Sequence, residues 1–325
     1  MPTPFAELLE KVRRHIEELH FEREPLGLYA PIRYGLSQGG KRLRPVLTLM
    51  TYNLYRDDTD RILDPAIGME VFHNYTLLHD DVMDKADKRR GKPTVHKVWS
   101  ENAAILSGDA MLVLAYQLIS QCPQEQLPEV LRLFGETALE VCEGQQLDME
   151  FERRNDVGED EYMEMIRLKT SVLLAGCARL GAMLAKAPAD DAEYLYKYGV
   201  NIGLAFQLED DLLDVYGDTR VFGKNIGGDI VSNKKTYLLI KALEHADSSQ
   251  RTELNGWLSR TAFDREEKIA AVTKLYDQIG VRTLCERKIE ACTRLAEDSL
   301  QAVGVPADRK EELKKLMESL VNRKS

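Results

Sequence analysis

Apolar positions recur at intervals of three and four along almost the whole chain, the spacing of one face of an α-helix. Phe5, Leu8, Leu9, Val12, Ile16 and Leu19 form the first stripe, with Thr3 as N-cap and Pro4 at the first helical position. Pro25 and Pro31 bracket a short second element. Gly39 and Gly40 break the pattern, and Pro45 restarts a helix from Val46. Asp64 and Pro65 open the next helix, which runs to about Ala86 and is stopped by Gly91 and Pro93. Ser100 caps a helix over 101–119 that is apolar almost all round, which predicts burial on most sides. Pro128 opens a long helix whose Glu140, Glu143, Gln146 and Glu150 read as a solvated face. A junction at Lys169-Thr170 precedes the most apolar run, Val172 to Ala185, and a further long helix starts near Ala189. From Thr236 onward the pattern is helical again, with breaks near Asp247, Gly280 and Gly304 to Pro306. Strand alternation and β-hairpin signals are missing from the pattern. The expectation is an all-α fold of roughly ten to thirteen helices in a single domain over residues 1–325.

Two helices carry more acid than packing needs. LLHDDVMDKADKRRG places Asp80, Asp81 and Asp84 within one turn, followed by Arg89 and Arg90. On a helix advancing about 100° per residue, Asp80 and Asp84 stand about 40° apart. Like charges at this spacing cost roughly 0.2–0.5 kcal/mol per pair, so a cation is expected to offset them. Mg²⁺ suits clustered carboxylates that leave positions for water and phosphate oxygens, and arginine suits phosphate. One such triad reads most simply as a solvated acidic turn. FQLEDDLLDVYGD repeats it, with Asp210, Asp211 and Asp214 at the same spacing and Lys224 beyond a glycine-rich loop. Two copies, each followed by cations, point to metal-assisted phosphate chemistry. Lys41, Arg42 and Arg44 crowd the Gly39-Gly40 turn, where a helix N-terminus can help bind an anion. Lys169 and Thr170 fit either a surface junction or the wall of a cavity. The loop from Tyr216 to Leu239, with Gly217, Gly223, Gly227, Gly228, Lys224, Lys234 and Lys235, is a candidate lid.

Composition narrows the partners. The 325 residues are 44% hydrophobic and 30% charged, a soluble globular balance with ample core. A net charge of −10 disfavours nucleic acid, so the basic residues must act locally. Cys122, Cys142, Cys177, Cys285 and Cys292 show no metal-binding spacing and read as reduced thiols of a cytoplasmic protein. The N-terminal stretch is charged throughout, unlike a signal peptide, and Arg179 interrupts the Val172 to Ala185 run, so no membrane span is expected.

The ordered set GGKRLRP, His73, HDDVMD with RRG, Lys169-Thr170, FQLEDDLLD, GKNIGGD and NKK resembles the trans-isoprenyl diphosphate synthases, the polyprenyl synthetase family, from Gly39 to about Lys235. The resemblance implies an all-α fold with a central cavity between antiparallel helices, the triads facing each other near its mouth, and a homodimer. It implies that Asp80, Asp84 and Asp210 are the principal ligands of three Mg²⁺ ions, with Asp81, Asp211 and Asp214 assisting. Arg89, Lys169 and Lys224 match positions that hold an allylic diphosphate. Lys41, Arg44, His73 and Arg90 match the isopentenyl diphosphate site. Thr170 and Gln207 line the cavity near the nascent cation, and Lys234 approaches the leaving diphosphate.

A class I terpene cyclase also uses an aspartate-rich motif, but its second motif is of a different type and it needs no second diphosphate site. A non-catalytic subunit of a prenyltransferase would have lost motif residues. The EF-hand reading of DLLDVYGD fails on ligand spacing. Product length is read from the residues before Asp80. Thr76 shares the Asp80 face, while Tyr75 lies on a stripe with Gly68, Phe72 and His79. In the family, an aromatic only at the farther of the two positions before the first aspartate resembles geranylgeranyl synthases. The expectation is a fifteen- to twenty-carbon product, leaning to twenty.

Overall fold

The computed structural model describes residues 2–217 and 226–321. The helices are α1 (Phe5–Glu18), α2 (Leu26–Ser37), α3 (Leu43–Asn53), α4 (Leu63–Met83), α5 (Val95–Val98), α6 (Glu101–Ile119), α7 (Leu127–Phe151), α8 (Glu159–Ile166), α9 (Val172–Leu184) and α10 (Ala189–Tyr216). They continue as α11 (Gly228–Ser232), α12 (Tyr237–His245), α13 (Ser248–Ser259), α14 (Arg265–Ile279), α15 (Val281–Ala302) and α16 (Ala307–Val321). The all-α expectation holds. The helices outnumber the ten to thirteen expected, because single-turn helices such as α5 and α11 are too short to show periodicity.

The described residues fall into two compact units, each drawn from three stretches of chain. The first comprises Met1–Glu136, Gly176–Tyr196 and Ala302–Leu316. Its core takes Leu8 and Val12 from α1, Val46 and Leu47 from α3, and Ile67 and Phe72 from α4. Polar contacts tie its distant stretches together. Asp191 accepts hydrogen bonds from the Tyr55 hydroxyl at 2.8 Å and the Gly304 amide at 2.9 Å. The second unit comprises Thr137–Ala175, Lys197–Gln301 and Met317–Ser325. Its core includes Tyr162, Ile166, Leu208, Leu212, Leu238, Trp257, Leu275 and Cys285.

Several boundaries differ from the sequence reading. Thr3 does not cap α1; its amide donates to Asn53 Oδ1 at 2.6 Å and Pro4 takes the cap position. Pro31 lies inside α2 instead of ending it, at the cost of one helical hydrogen bond. Pro45 sits in the first turn of α3, which starts at Leu43. Asp64 does not cap α4, and its carboxylate meets His15 Nε2 at 2.7 Å. A short hairpin is present: Lys88–Arg89 pairs antiparallel with Lys92–Pro93 around Arg90 and Gly91. Both turn residues have positive φ, 52° and 77°, as a two-residue hairpin turn of type I′ requires. An arginine in the left-handed region is what hid it in the sequence. Lastly, α6 is not buried on most sides: Leu106 and Val113 are 61% and 58% exposed, and Ile105 and Tyr116 are exposed beside them. By length and composition α6 is also the one helix among the described residues that could cross a membrane.

Candidate active site

The first triad stands at the C-terminal end of α4. Asp80 and Asp81 lie in the last turn and Asp84 is the C-cap. The chain leaves through a left-handed Lys85 (φ 52°), with Lys85 N–H bonded to the Val82 carbonyl at 3.2 Å and Ala86 N–H to the Asp81 carbonyl at 3.0 Å. This is a Schellman ending. The helix dipole adds roughly half a negative charge here, so the three carboxylates share the place least favourable to anions. The hairpin supplies the counter-charge: Arg89 Nε donates to Asp81 Oδ1 at 2.9 Å, and its Nη2 lies 3.4 Å from Asp80 Oδ2. Asp81 is buried under this arginine, whereas Asp84 is exposed.

The basic turn and the hairpin tip meet. Arg90 donates to the Gly39 carbonyl, and its guanidinium lies where a Cβ on Gly40 would come within 2.8 Å of it. Gly39 and Gly40 have φ of 81° and 121°, conformations that favour glycine. Arg44 Nε is buried with no hydrogen-bond acceptor among the described residues. Burial and the nearby Arg44, Arg90, Arg89 and Arg42 hold the His73 pKa well below its ordinary 6.5, so the imidazole is neutral. Lys41 is exposed. Arg42 turns inward instead, pairing with buried Glu70 at 2.7 Å while donating to the Leu36 carbonyl. Arg44, His73 and Arg90 thus form one electropositive cluster, in which both arginines act on the imidazole.

From the triad an aromatic column follows α4. His79 and Tyr75 pack edge to face at 4.7 Å, Tyr75 lies 5.6 Å from Phe72, and Phe72 meets Phe134 of α7 at 5.2 Å. His79 approaches the Ile105 carbonyl at 3.0 Å, and Gly108 leaves room for its ring. Thr76 is turned away from this column, its hydroxyl donating to the His73 carbonyl at 2.8 Å.

The second triad also sits near a helix C-terminus, in the last two turns of α10. Asp211 points inward. It is 3% exposed and accepts from the Tyr162 hydroxyl and, at 3.1 Å, from Gln207 Nε2. Gln207 Oε1 accepts in turn from Thr170 Oγ1 at 3.1 Å. Burial, with the Asp229 charge second, raises the Asp211 pKa to about 7, against the pull of Lys234 and the two hydrogen bonds. Asp214 Oδ2 accepts from the Asp229 amide at 2.9 Å, which ties the segment after the loop to the triad. Lys224 lies outside the described residues.

Lys169 and Thr170 belong to a turn of π-helix, Arg167–Ser171, between α8 and α9. Such turns are rare and concentrate at functional sites. Two glycines admit it: a Cβ at Gly144 would collide with the Lys169 backbone, and one at Gly203 would lie 2.6 Å from Ser171 Cα. Lys169 Nζ bonds Asp148 Oδ2 at 2.6 Å. Sequence reasoning missed Asp148, Gly144 and Tyr162. The available signal was a glycine inside the α7 pattern with an acid one turn later. The Glu140, Glu143, Gln146 and Glu150 face is solvated, apart from the Glu140 contact with Arg167 at 3.3 Å.

Among the described residues no three histidine, cysteine or carboxylate side chains converge to hold a metal unaided. The donor chemistry fits Mg²⁺ that arrives with a phosphorylated ligand. Carboxylate oxygens near a helix C-terminus, as in each triad, would suit a hard cation whose other positions would go to water and phosphate oxygens.

Comparison with known proteins agrees with this chemistry. The polyprenyl synthetase family model matches residues 26–277. A geranylgeranyl pyrophosphate synthase of Geoglobus acetivorans is 38% identical over 92% of either chain. A short chain isoprenyl diphosphate synthase of Methanocaldococcus jannaschii is 44% identical over 70% of this chain and 69% of its own. A crystal structure of a geranylgeranyl pyrophosphate synthase superposes with a TM-score of 0.95 at 43% identity, covering both chains fully. The match runs through both triads, the glycine–arginine turn and the π turn, and the chain belongs to the polyprenyl synthetase family.

Proposed function

We propose that this chain is a Mg²⁺-dependent short-chain isoprenyl diphosphate synthase that joins isopentenyl diphosphate to dimethylallyl, geranyl or farnesyl diphosphate. The observation that carries this reading is the Arg44–His73–Arg90 cluster, with its unused buried donor, present in addition to two acidic triads. A terpene cyclase ionises one diphosphate and needs no such second anion site.

The family generally uses Mg²⁺; three ions are proposed here, held chiefly by Asp80, Asp84 and Asp210. When bound, these ions neutralise the diphosphate as it leaves. Arg89, Lys169, Lys224 and Lys234 stabilise the same negative charge, and Arg44, His73, Arg90 and Lys41 orient isopentenyl diphosphate. Arg89, which pairs with Asp81 and Asp80, can turn its guanidinium to phosphate oxygens, and Asp80 could then help hold a metal ion. The allylic C–O bond breaks with its electron pair going to the diphosphate. The isopentenyl double bond attacks the cation, and the product cation loses a proton, which the departing diphosphate accepts. Oxygens of Thr170 and Gln207 face the cation without attacking it, since both are held in the Asp211 network. Asp211 assists through that network, and Asp81 through Arg89.

The aromatic column below the first triad supports a fifteen- to twenty-carbon product, with twenty favoured, because Tyr75 and Phe72 close the path along α4. The exposed apolar face of α6 supports a homodimer. Free cysteines, four of the five buried, fit a reducing cytoplasm.

The test is to incubate purified protein with labelled isopentenyl diphosphate and each primer and to size the products. Twenty-carbon diphosphate should form only with both substrates and Mg²⁺. A hydrocarbon released from the allylic substrate alone would overturn the reading in favour of a cyclase.

A further inference from the structure

Lys268 of α14 is fully buried, an unusual state for lysine, and among the described residues no carboxylate meets it. Its ammonium donates to the Val231 carbonyl at 3.1 Å and to Asn233 Oδ1 at 2.7 Å, and it lies 4.2 Å from the centre of the Phe263 ring. Burying an ammonium among neutral partners costs several kcal/mol unless they compensate it. Methionine would fill the same space without that cost, so packing alone does not account for a lysine here.

The ammonium grips one particular turn. Asn233 is left-handed (φ 54°), and its side-chain Nδ2 donates to the Leu258 carbonyl at 3.0 Å. Lys234 follows directly, with its N–H on the Asp229 carbonyl at 2.9 Å. Asp229 in turn donates its own N–H to Asp214 of the second triad, and the Lys234 charge is felt at Asp211. Non-glycine residues adopt this conformation at a cost, and they keep it when their surroundings impose it. Lys268 and the Leu258 carbonyl are those surroundings.

We propose that Lys268 is a positioning residue for Lys234: its buried ammonium, holding the Val231 carbonyl and the Asn233 carboxamide, fixes the left-handed turn that presents Lys234 to the second triad. This rests on the reading of Lys234 given under the proposed function. The group that meets substrate is Lys234, and Lys268 acts through it.

The test compares Lys268→Met, Asn233→Gly, Lys234→Ala and the double variant Lys268→Met/Lys234→Ala by steady-state kinetics with geranyl and isopentenyl diphosphates, alongside thermal melting. Misplacing a group from a distance costs up to about 100-fold, so kcat of Lys268→Met should fall about 10- to 100-fold. Both KM values should stay within about threefold, because binding groups are untouched, and Tm should not fall. Asn233→Gly removes the acceptor and lets the turn depart from the left-handed conformation, so it should show the same split if Lys268→Met fails to fold. The double variant should be no slower than Lys234→Ala, since a misaimed and a missing lysine are equivalent. Normal turnover in Lys268→Met and Asn233→Gly, or additive losses in the double variant, would overturn the positioning role alone. Normal turnover in Lys234→Ala would remove the catalytic reading of Lys234 and this inference with it.

Discussion

Arg90 lies against Gly40 so closely that its guanidinium occupies the place of a side chain the glycine lacks, 2.8 Å from the Cβ position. The two residues come from different motifs, and their contact joins the basic turn to the hairpin, where isopentenyl diphosphate is proposed to bind. Gly40→Ala would both strain a φ of 121° and push the guanidinium aside. Loss of hydrogen bonds from a charged donor is worth about 1.5–3 kcal/mol, so KM for isopentenyl diphosphate should rise about 10- to 100-fold. KM for the allylic substrate should change little, and measuring both constants checks this. An equal rise in both would show that the cluster does not serve one substrate.

Asp80→Asn and Asp210→Asn should each lower kcat by about 10²–10³ or more while the far-ultraviolet circular dichroism stays unchanged. EDTA should abolish turnover in the wild type, and Mg²⁺ should restore it. Near-normal turnover in either variant would sink the metal assignment.

The Tyr162 hydroxyl is fastened to Asp211 inside the second unit. Tyr162→Phe keeps the ring and removes the donor, leaving a buried carboxyl short of a partner at a cost of about 1–3 kcal/mol. Stability should fall by that amount in urea titration. Turnover should fall about tenfold as Gln207 and Thr170 lose their anchor. Products of unchanged length would separate this effect from any change in the pocket.

His73 gives a pH signature. Its pKa is depressed in the folded state, while the unfolded chain takes up the proton near 6.5. Its contribution to stability is therefore complete above about pH 6.5 and is lost as pH falls toward the folded value. His73→Gln should not lose stability on that limb, so the Tm difference from the wild type should change steadily between pH 7.5 and pH 5. Parallel Tm curves would show that His73 is not buried neutral.

Tyr75→Ser should lengthen the product by at least one five-carbon unit if the aromatic column is the floor of the pocket. Product sizing against the wild type checks this. An unchanged distribution would make Tyr75 a packing residue held between His79 and Phe72.

Much of this was legible in the sequence because local rules decided it. Ser100 accepts from the Ala103 amide at 3.1 Å as an N-cap, Gly280 ends α14 at φ 82°, and the triads lie on the helices that their spacing implies. What stayed hidden depends on partners distant in sequence. Asp211 has the same neighbours in the sequence as Asp210, yet it turns toward Tyr162, which belongs to another helix. Arg42 and Arg44 look alike in GGKRLRP, but Glu70 draws the first into the core. The apolar pattern of α6 is compatible with a core or with an exposed face, because periodicity reports only that a surface avoids water. The π turn left no signal in its own residues, and the glycines that admit it, Gly144 and Gly203, lie on other helices.

That extra residue has an evolutionary reading. A π turn is the trace of a single-residue insertion, tolerated because the hydrogen bonding shifts by one, as where the Val172 amide meets the Arg167 carbonyl. Deleting any one residue of Arg167–Ser171 would restore a regular helix, rotate all that follows by about 100°, and remove Lys169 and Thr170 from their partners. Such a deletion would improve the bonding of the helix but turn the buried residues of α9, Leu173 and Leu174 among them, out of their packing, so chemistry and packing would be lost together. The extra residue thus sets two registers at once, that of the buried α9 and that of Lys169 and Thr170 on Asp148 and Gln207, and neither can be changed without the other.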